Sequence, residues 1–259
     1  MKPNKLLGQH FLVDKKALAK IVAAANIQKD ETVLEIGPGT GLLTKELAAR
    51  AQKVITIEKD PSMVHILKET LGNFENVEII QGDALSYQVI KLSSYKVVAN
   101  IPYYITAPII RKFLEEKDKP AEMVLMVQKE VAQRICAKPP DMSILAVSVQ
   151  FYATCKIISR VSKGCFWPVP KVDSAIIKIV PQITVDNQGI NRDAFFRVVK
   201  AGFLHPRKKI IGNLREGLKI HKEQITSWLI DNKIDPGRRA ETLTLQEWAS
   251  LTRGLDMIT

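Results

Sequence analysis

Apolar and polar positions along the chain alternate between two periods. Thr32-Val33-Leu34-Glu35-Ile36, Lys53-Val54-Ile55-Thr56-Ile57, Val77-Glu78-Ile79-Ile80 and Lys96-Val97-Val98-Ala99 are short apolar runs bounded by turn chemistry, the mark of buried strands. Residues 17–25 and 42–51 have helical spacing instead, and Pro61 opens a helix that runs to about residue 71. Residues 123–128 predict a further strand, 143–153 a helix and 175–180 a last strand. Strands separated by helices predict an α/β fold with a mostly parallel, doubly wound sheet. After Pro181 the pattern changes: residues 182–191 are polar with one glycine and read as a linker. Beyond it Phe195-Phe196, Val198-Val199, Phe203-Leu204, Ile210-Ile211, Leu214 and Leu218 recur at helical spacing, as do Ile225, Trp228 and Leu229. The expected division is a domain over 1–181 and a small helical domain over 190–259.

Composition narrows the function. The 259 residues carry a formal net charge of +11, which favours polyanions, nucleic acid first and an anionic membrane surface second. Basic residues gather in Arg207-Lys208-Lys209, in Arg238-Arg239 and in the lysine-rich first twenty residues. A generally soluble basic surface is the plainer alternative. No apolar run is long enough to cross a bilayer, and Met1-Lys2-Pro3-Asn4-Lys5 lacks the apolar core of a secretory signal. Cys136, Cys155 and Cys165 have no Cys-x-x-Cys spacing, so free buried thiols and a reducing cytoplasm are expected. The four histidines, His10, His65, His205 and His221, show no metal-ligand spacing, and no metal is expected.

The most informative stretch is Asn100-Ile101-Pro102-Tyr103-Tyr104-Ile105, directly after the fourth apolar run. An Asn-x-Pro-Tyr turn at the carboxyl end of a parallel strand brings an amide oxygen, a backbone carbonyl and an aromatic face to one small volume. Those groups suit a planar amine such as adenine's. Two hydrogen bonds accepted by the Asn100 side chain and the Pro102 carbonyl favour pyramidal nitrogen and localise its lone pair, which is complementarity to the transition state. Tyr103 supplies a stacking platform, a contact that typically contributes ~1–3 kcal/mol. A proline-ended strand with tyrosines packed in a core would carry the same letters.

A second cluster lies between the first strand and the following helix. Glu35-x-Gly37-x-Gly39-x-Gly41 is not the dinucleotide fingerprint, because Leu42 stands where that pattern needs its third glycine, and a lysine-bearing phosphate loop is absent. It resembles the S-adenosylmethionine loop of class I methyltransferases. Glu58 ends the second strand, where a carboxylate can accept both ribose hydroxyls. Asp83 ends the third, where it can accept from the cofactor's adenine amino group. Each acid alone is equally well a helix cap or turn residue; the three features in successive strand–helix units are a stronger sign.

Taken together, these residues resemble the ribosomal RNA adenine dimethylase family over nearly the whole chain. Leu7-Gly8-Gln9-His10-Phe11-Leu12 is similar to the family's N-terminal motif and implies that His10 and Leu12 contact the cofactor, as Gly37, Gly39, Glu58, Asp83 and Asn100 do. Glu35 through Gly41, Gly82-Asp83-Ala84, Asn100 through Tyr103, Gln128 through Arg134 and Phe166-Trp167-Pro168-Val169-Pro170-Lys171-Val172-Asp173-Ser174 match in order. The resemblance implies a class I (Rossmann-like) S-adenosylmethionine-dependent methyltransferase domain with a small C-terminal α-helical domain for rRNA recognition. It implies a cytoplasmic, monomeric enzyme that converts two adjacent adenosines near the 3′ end of small-subunit (16S) rRNA to N6,N6-dimethyladenosine, on a partly assembled subunit. Asn100, Pro102, Tyr103 and Phe166 are the implied catalytic residues, with Phe166 as the second stacking face; core packing is the alternative for Phe166. Arg207, Lys208, Lys209, Arg238 and Arg239 are expected on RNA phosphates. Pro139-Pro140-Asp141-Met142-Ser143 departs from the family pattern, where relatives have a glycine-bearing loop.

Three other functions share parts of this pattern. The large-subunit adenine methylases of macrolide resistance have the same turn and glycine motifs, but Ala201-Gly202-Phe203 through Arg207-Lys208-Lys209 and Asn213-Leu214, and then Arg239-Ala240-Glu241-Thr242-Leu243, resemble the small-subunit branch. A non-catalytic nucleic-acid-binding factor could use the basic surface alone. A DNA adenine methylase would share the amine-binding turn.

Overall fold

A computed structural model describes residues 3, 8–87, 94–182 and 189–255. Leu7 of the N-terminal motif and 183–188 of the expected linker lie outside them. The chain divides into two compact units, Met1–Ala132 with Cys155–Pro181, and Gln133–Thr154 with Gln182–Thr259.

The first unit is built on strands β1 (Phe11–Leu12), β2 (Thr32–Ile36), β3 (Lys53–Glu58), β4 (Val77–Gln81), β5 (Tyr95–Asn100), β6 (Glu122–Gln128), β7 (Ala153–Val161), β8 (Phe166–Trp167) and β9 (Ser174–Pro181). Helices α1 (Lys15–Ala25), α2 (Leu42–Ala48), α3 (Pro61–Leu71) and α4 (Thr106–Glu115) connect them. Seven strands form one sheet in the order β4-β3-β2-β5-β6-β9-β7. Neighbours from β4 to β6 run parallel, with Val33 beside Val54 and Val97 beside Met123. β9 turns back antiparallel to β6, placing Ser174 opposite Gln128.

The sequence explains these elements locally. Ile21, Val33, Leu47, Val54, Val98 and Val124 come from α1, α2 and the central strands and meet in one buried cluster. Each such side chain contributes ~1.5–3 kcal/mol on burial. Asp14 caps α1, accepting from the Ala17 N–H at 2.7 Å. Asp60 caps α3, accepting from the Ser62 N–H at 2.9 Å, with Pro61 in the first turn where its missing N–H costs nothing. From β2 the chain winds outward through β3 and β4, whereas β5 and β6 lie on the other side of β2. The direction reverses between β2 and β5, and a crevice opens outside their carboxyl ends. β2 delivers Gly37 to that crevice and β5 delivers Asn100.

The second unit holds α6 (Ile144–Gln150), α7 (Arg192–Gly202), α8 (Ile210–Leu218), α9 (Lys222–Asp231) and α10 (Leu245–Arg253), with α5 (Lys129–Ile135) leading in. Its composition corrects the expected division: the helical unit is not residues 190–259 alone but takes 133–154 as well. The reason is aromatic packing. Phe151 stacks on Phe195 at 4.3 Å between ring centroids, and Met142, Ala146 and Val147 lie in the same core as Leu214 and Trp248. The unusual Pro139–Ser143 stretch joins this core, since Met142 is buried and donates its N–H to the Glu241 carbonyl at 3.0 Å. The helix expected over 143–153 is shorter, Ile144–Gln150, and β7 starts where it was expected to end.

Candidate active site

The crevice of the first unit is lined by the Gly8–Leu12 segment, the Glu35–Thr40 loop, Glu58, Asp83 and Asn100–Ile105. The structure therefore brings together His10, Leu12, Gly37, Gly39, Glu58, Asp83, Asn100, Pro102 and Tyr103. Gly39 has a positive φ of +56°, and a Cβ there would stand 2.9 Å from Cδ1 of Phe11. Only glycine lets the loop lie this close to the N-terminal segment.

Three carboxylates occupy the crevice in different states. Glu58 is nearly buried; its Oε1 accepts from the Asp60 N–H at 2.8 Å and its Oε2 from the Gly39 N–H at 3.4 Å. Burial raises its pKa, and these backbone donors oppose the rise. Asp83 is held below the ordinary aspartate range, first by the Lys59 ammonium 2.8 Å from Oδ2 and then by the Leu85 N–H 2.9 Å from Oδ1. Lys59 is a participant that the sequence reading missed, although it directly follows Glu58. Glu35 is fully buried, its Oε2 has no hydrogen-bond partner among the described residues, and burial pushes its carboxyl up to about 8, opposed by Thr44.

Glu35 makes the stability of the fold depend on pH. In the unfolded chain it releases its proton near the ordinary value of ~4.3, whereas the folded protein keeps it until about pH 8. Between those values the native state binds more protons, so this group makes stability fall as pH rises. Glu35→Gln should flatten that slope, gaining on the wild type from pH 5 to pH 8 in denaturant titrations. Parallel curves across that range would refute the assignment.

The Asn100–Ile105 turn is held from both sides. Asn100 donates from Nδ2 to the His10 carbonyl at 3.1 Å, so its Oδ1 is left as the acceptor. The His10 ring lies along the Tyr103 ring, 5.8 Å between centroids and 25° between planes, and donates from Nδ1 to the Pro168 carbonyl at 2.7 Å. The Tyr103 hydroxyl pairs with Ser174 Oγ at 2.7 Å. Burial raises the Tyr103 pKa, with the Ser174 bond opposing it. Ser174, fully buried, has no role in the sequence analysis beyond its place in the Phe166–Ser174 motif; a lone polar residue opening an apolar strand is the signal that points to it.

Two expectations are corrected. Phe166 is only 2% exposed and packs with Leu12, Ile21 and Ile176 in the apolar cluster, opposite Leu12 on the β1–β8 ribbon. Its faces are covered, so core packing and not stacking describes its place here. Arg238 is not a free cation either. Its guanidinium pairs with both oxygens of Glu247 and with Oγ1 and the carbonyl of Thr242. Burial would raise the Glu247 carboxyl, but Arg238 and the Thr244 N–H outweigh it and hold it below the ordinary value. Arg239 lies 3.6 Å from Glu241, and Lys208 4.0 Å from Glu216. Arg207 and Lys209 are exposed with no ion pair among the described residues.

The family model for ribosomal RNA adenine dimethylases matches residues 1–256. The chain belongs to the ribosomal RNA adenine dimethylase family. A relative called ribosomal RNA small subunit methyltransferase A, from Dehalococcoides mccartyi, is 46% identical over 256 residues, covering 97% of this chain and 88% of its own. The protein of the same name from Geobacillus kaustophilus is 43% identical over 269 residues, covering 97% and 90%. Among solved structures, a dimethyladenosine transferase from Plasmodium falciparum aligns with a TM-score of 0.80 at 29% identity, over 96% of this chain and 98% of that one. The 23S rRNA methyltransferase ErmE aligns at 0.76 and 28% identity, over 95% and 99%. This dimethylase is thus a class I methyltransferase in fold, and among its described residues no helix is long and apolar enough to cross a membrane.

Proposed function

We propose that the chain methylates N6 of two adjacent adenosines near the 3′ end of small-subunit (16S) rRNA, each twice, with S-adenosylmethionine as donor. The observation that carries it is the Asn100 amide, whose Nδ2 donates to the His10 carbonyl and so leaves Oδ1 as an acceptor in a crevice that Pro102 and Tyr103 also line. The relatives named for the small subunit favour that RNA over the large subunit. We take the enzyme to act as a monomer in the cytoplasm, on a partly assembled subunit.

The crevice fits the donor chemically. Glu58 offers a nearly buried carboxylate for ribose hydroxyls, the Gly37 and Gly39 backbone lines the same crevice without side chains, and Asp83 on its wall can accept from a purine amino group. When bound, S-adenosylmethionine supplies an electrophilic methyl group. The protein's part is to hold the amine. Asn100 Oδ1 and the Pro102 carbonyl accept its two N–H bonds and favour the pyramidal nitrogen reached during attack. Tyr103, braced by Ser174 and His10, stacks on the extruded base, whose removal from its own stack costs a few kcal/mol. Positioning supplies much of the acceleration, and water can take the proton of the methylated amine.

Labelled cofactor incubated with undermethylated small subunits, large subunits and DNA tests the reading. N6,N6-dimethyladenosine should appear in the small-subunit RNA alone; label in either other substrate, or in none, overturns it. Phosphate contacts are proposed for Arg207, Lys208, Lys209 and Arg239. Charge reversal at Arg207 or Lys209 should lower the slope of log K against log salt by about one per phosphate lost. Arg238→Ala should lower stability and leave that slope unchanged. Equal slopes in all these variants would remove the basic cluster from the RNA interface.

A further inference from the structure

Trp167 follows the buried Phe166 on β8, and side chains of successive strand residues face opposite ways. Burial of the one puts the other outside: Trp167 is 47% exposed and Val169 59%. The indole lies along Phe11, 6.4 Å between centroids and 23° between planes, which braces it from within the β1–β8 ribbon. Lys163 and Lys171 stand four residues before and four after it in the chain, both exposed and with no ion pair among the described residues. The next residue, Pro168, is the one whose carbonyl holds His10 against Tyr103. Through that bond the patch is tied to His10, which lines the crevice of the proposed target-base pocket.

We infer that Trp167 is a stacking platform for the nucleotide next to the target adenosine, with Lys163 and Lys171 taking the adjoining phosphates. This rests on the proposed reading of the site. Drawing one base out of a strand breaks its stack with its neighbours, and a braced aromatic face at the pocket rim offers a neighbour a replacement. Every base has a π-face, so such a platform tolerates sequence. It serves whichever of two adjacent adenosines stays outside while the other is methylated. The lysines match the charge of the strand, and an exposed aromatic between cations is the pattern of single-stranded nucleic-acid grooves.

The chain has three tryptophans, and Trp228 and Trp248 are buried in the core of the second unit. Intrinsic fluorescence changes on RNA addition therefore report Trp167, with Trp167→Phe as the blank. The full chain is titrated with an unpaired oligoribonucleotide carrying two adjacent adenosines, and methylation is followed on undermethylated small subunits. Quenching in the wild type and none in Trp167→Phe is expected. Trp167→Ala should raise the KM for RNA about tenfold with kcat within about twofold, and Trp167→Phe should recover most of that loss. Because the alanine change also removes support from Phe11, Lys163→Glu with Lys171→Glu is the second probe, expected to raise KM and flatten its salt dependence. An active wild type with no quenching, and with KM unmoved in both the alanine and the lysine variants, overturns the inference and leaves the proposed function standing. An inert wild type overturns the proposed function, and the quenching titration still decides whether Trp167 meets RNA.

Discussion

Asn100→Ala is expected to slow methyl transfer by about two to three orders of magnitude, the usual loss when one preorganised hydrogen-bonding group for the transition state is removed. The effect belongs in kcat, because the lost acceptor matters most when the target nitrogen turns pyramidal. Asn100 is also expected to border the cofactor, so cofactor affinity is measured separately by equilibrium titration and should change far less than the rate. Asn100→Asp is the informative companion. A carboxylate cannot donate to the His10 carbonyl, the bond that now fixes the amide at 3.1 Å, so the acceptor returns without its anchor and most of the rate should stay lost. Single-turnover rates at saturating cofactor give the answer. A rate within threefold of wild type in Asn100→Ala would falsify the amine-holding role.

The second large effect is on folding. Gly202, at the end of α7, has no room for even a methyl group: a Cβ would stand 2.3 Å from Cη2 of Trp248 and 2.8 Å from Cζ3. Trp248 is fully buried and stacked on Phe203 at 5.6 Å, so it has nowhere to retreat. Gly202→Ala should cost about 1–3 kcal/mol or more, the range for overpacking a filled core. Gly212 in α8 is the matched control, since a Cβ there meets nothing within 4 Å. Gly212→Ala should gain about 0.5–1 kcal/mol from helix propensity alone. Urea midpoints moving in opposite directions are expected; two glycines that respond alike would refute the packing account.

The sheet was legible because its strands are continuous apolar runs ended by turn residues, and β2 and α3 have the bounds read from the sequence. Other elements were hidden for physical reasons. α4 carries Pro108 in its first turn, which is tolerated in the helix but reads as a break. β7 alternates exposed and part-buried positions, and in the sequence its start merges with the preceding helical spacing. β1 and β8 are two residues each and show no periodicity at all. Within the crevice, the loop glycines, Glu58, Asp83 and Asn100 were legible from their places at strand ends. Which face of β8 points inward was not, so only the family resemblance made Phe166 a platform, with core packing as its alternative, and nothing in the letters singled out Trp167. Arg238 shows the same limit, because a charge run does not reveal which of its members a distant Glu247 has claimed.

The helical unit is drawn from two stretches of chain, Gln133–Thr154 and Gln182–Thr259. Anyone wishing to dissect the dimethylase at residue 181 would therefore divide one hydrophobic interior between two fragments. The leading piece would carry Met142, Val147 and Phe151 without their wall, and the trailing piece would lack the ring that Phe195 rests on. A self-sufficient helical fragment would have to splice the earlier stretch back on.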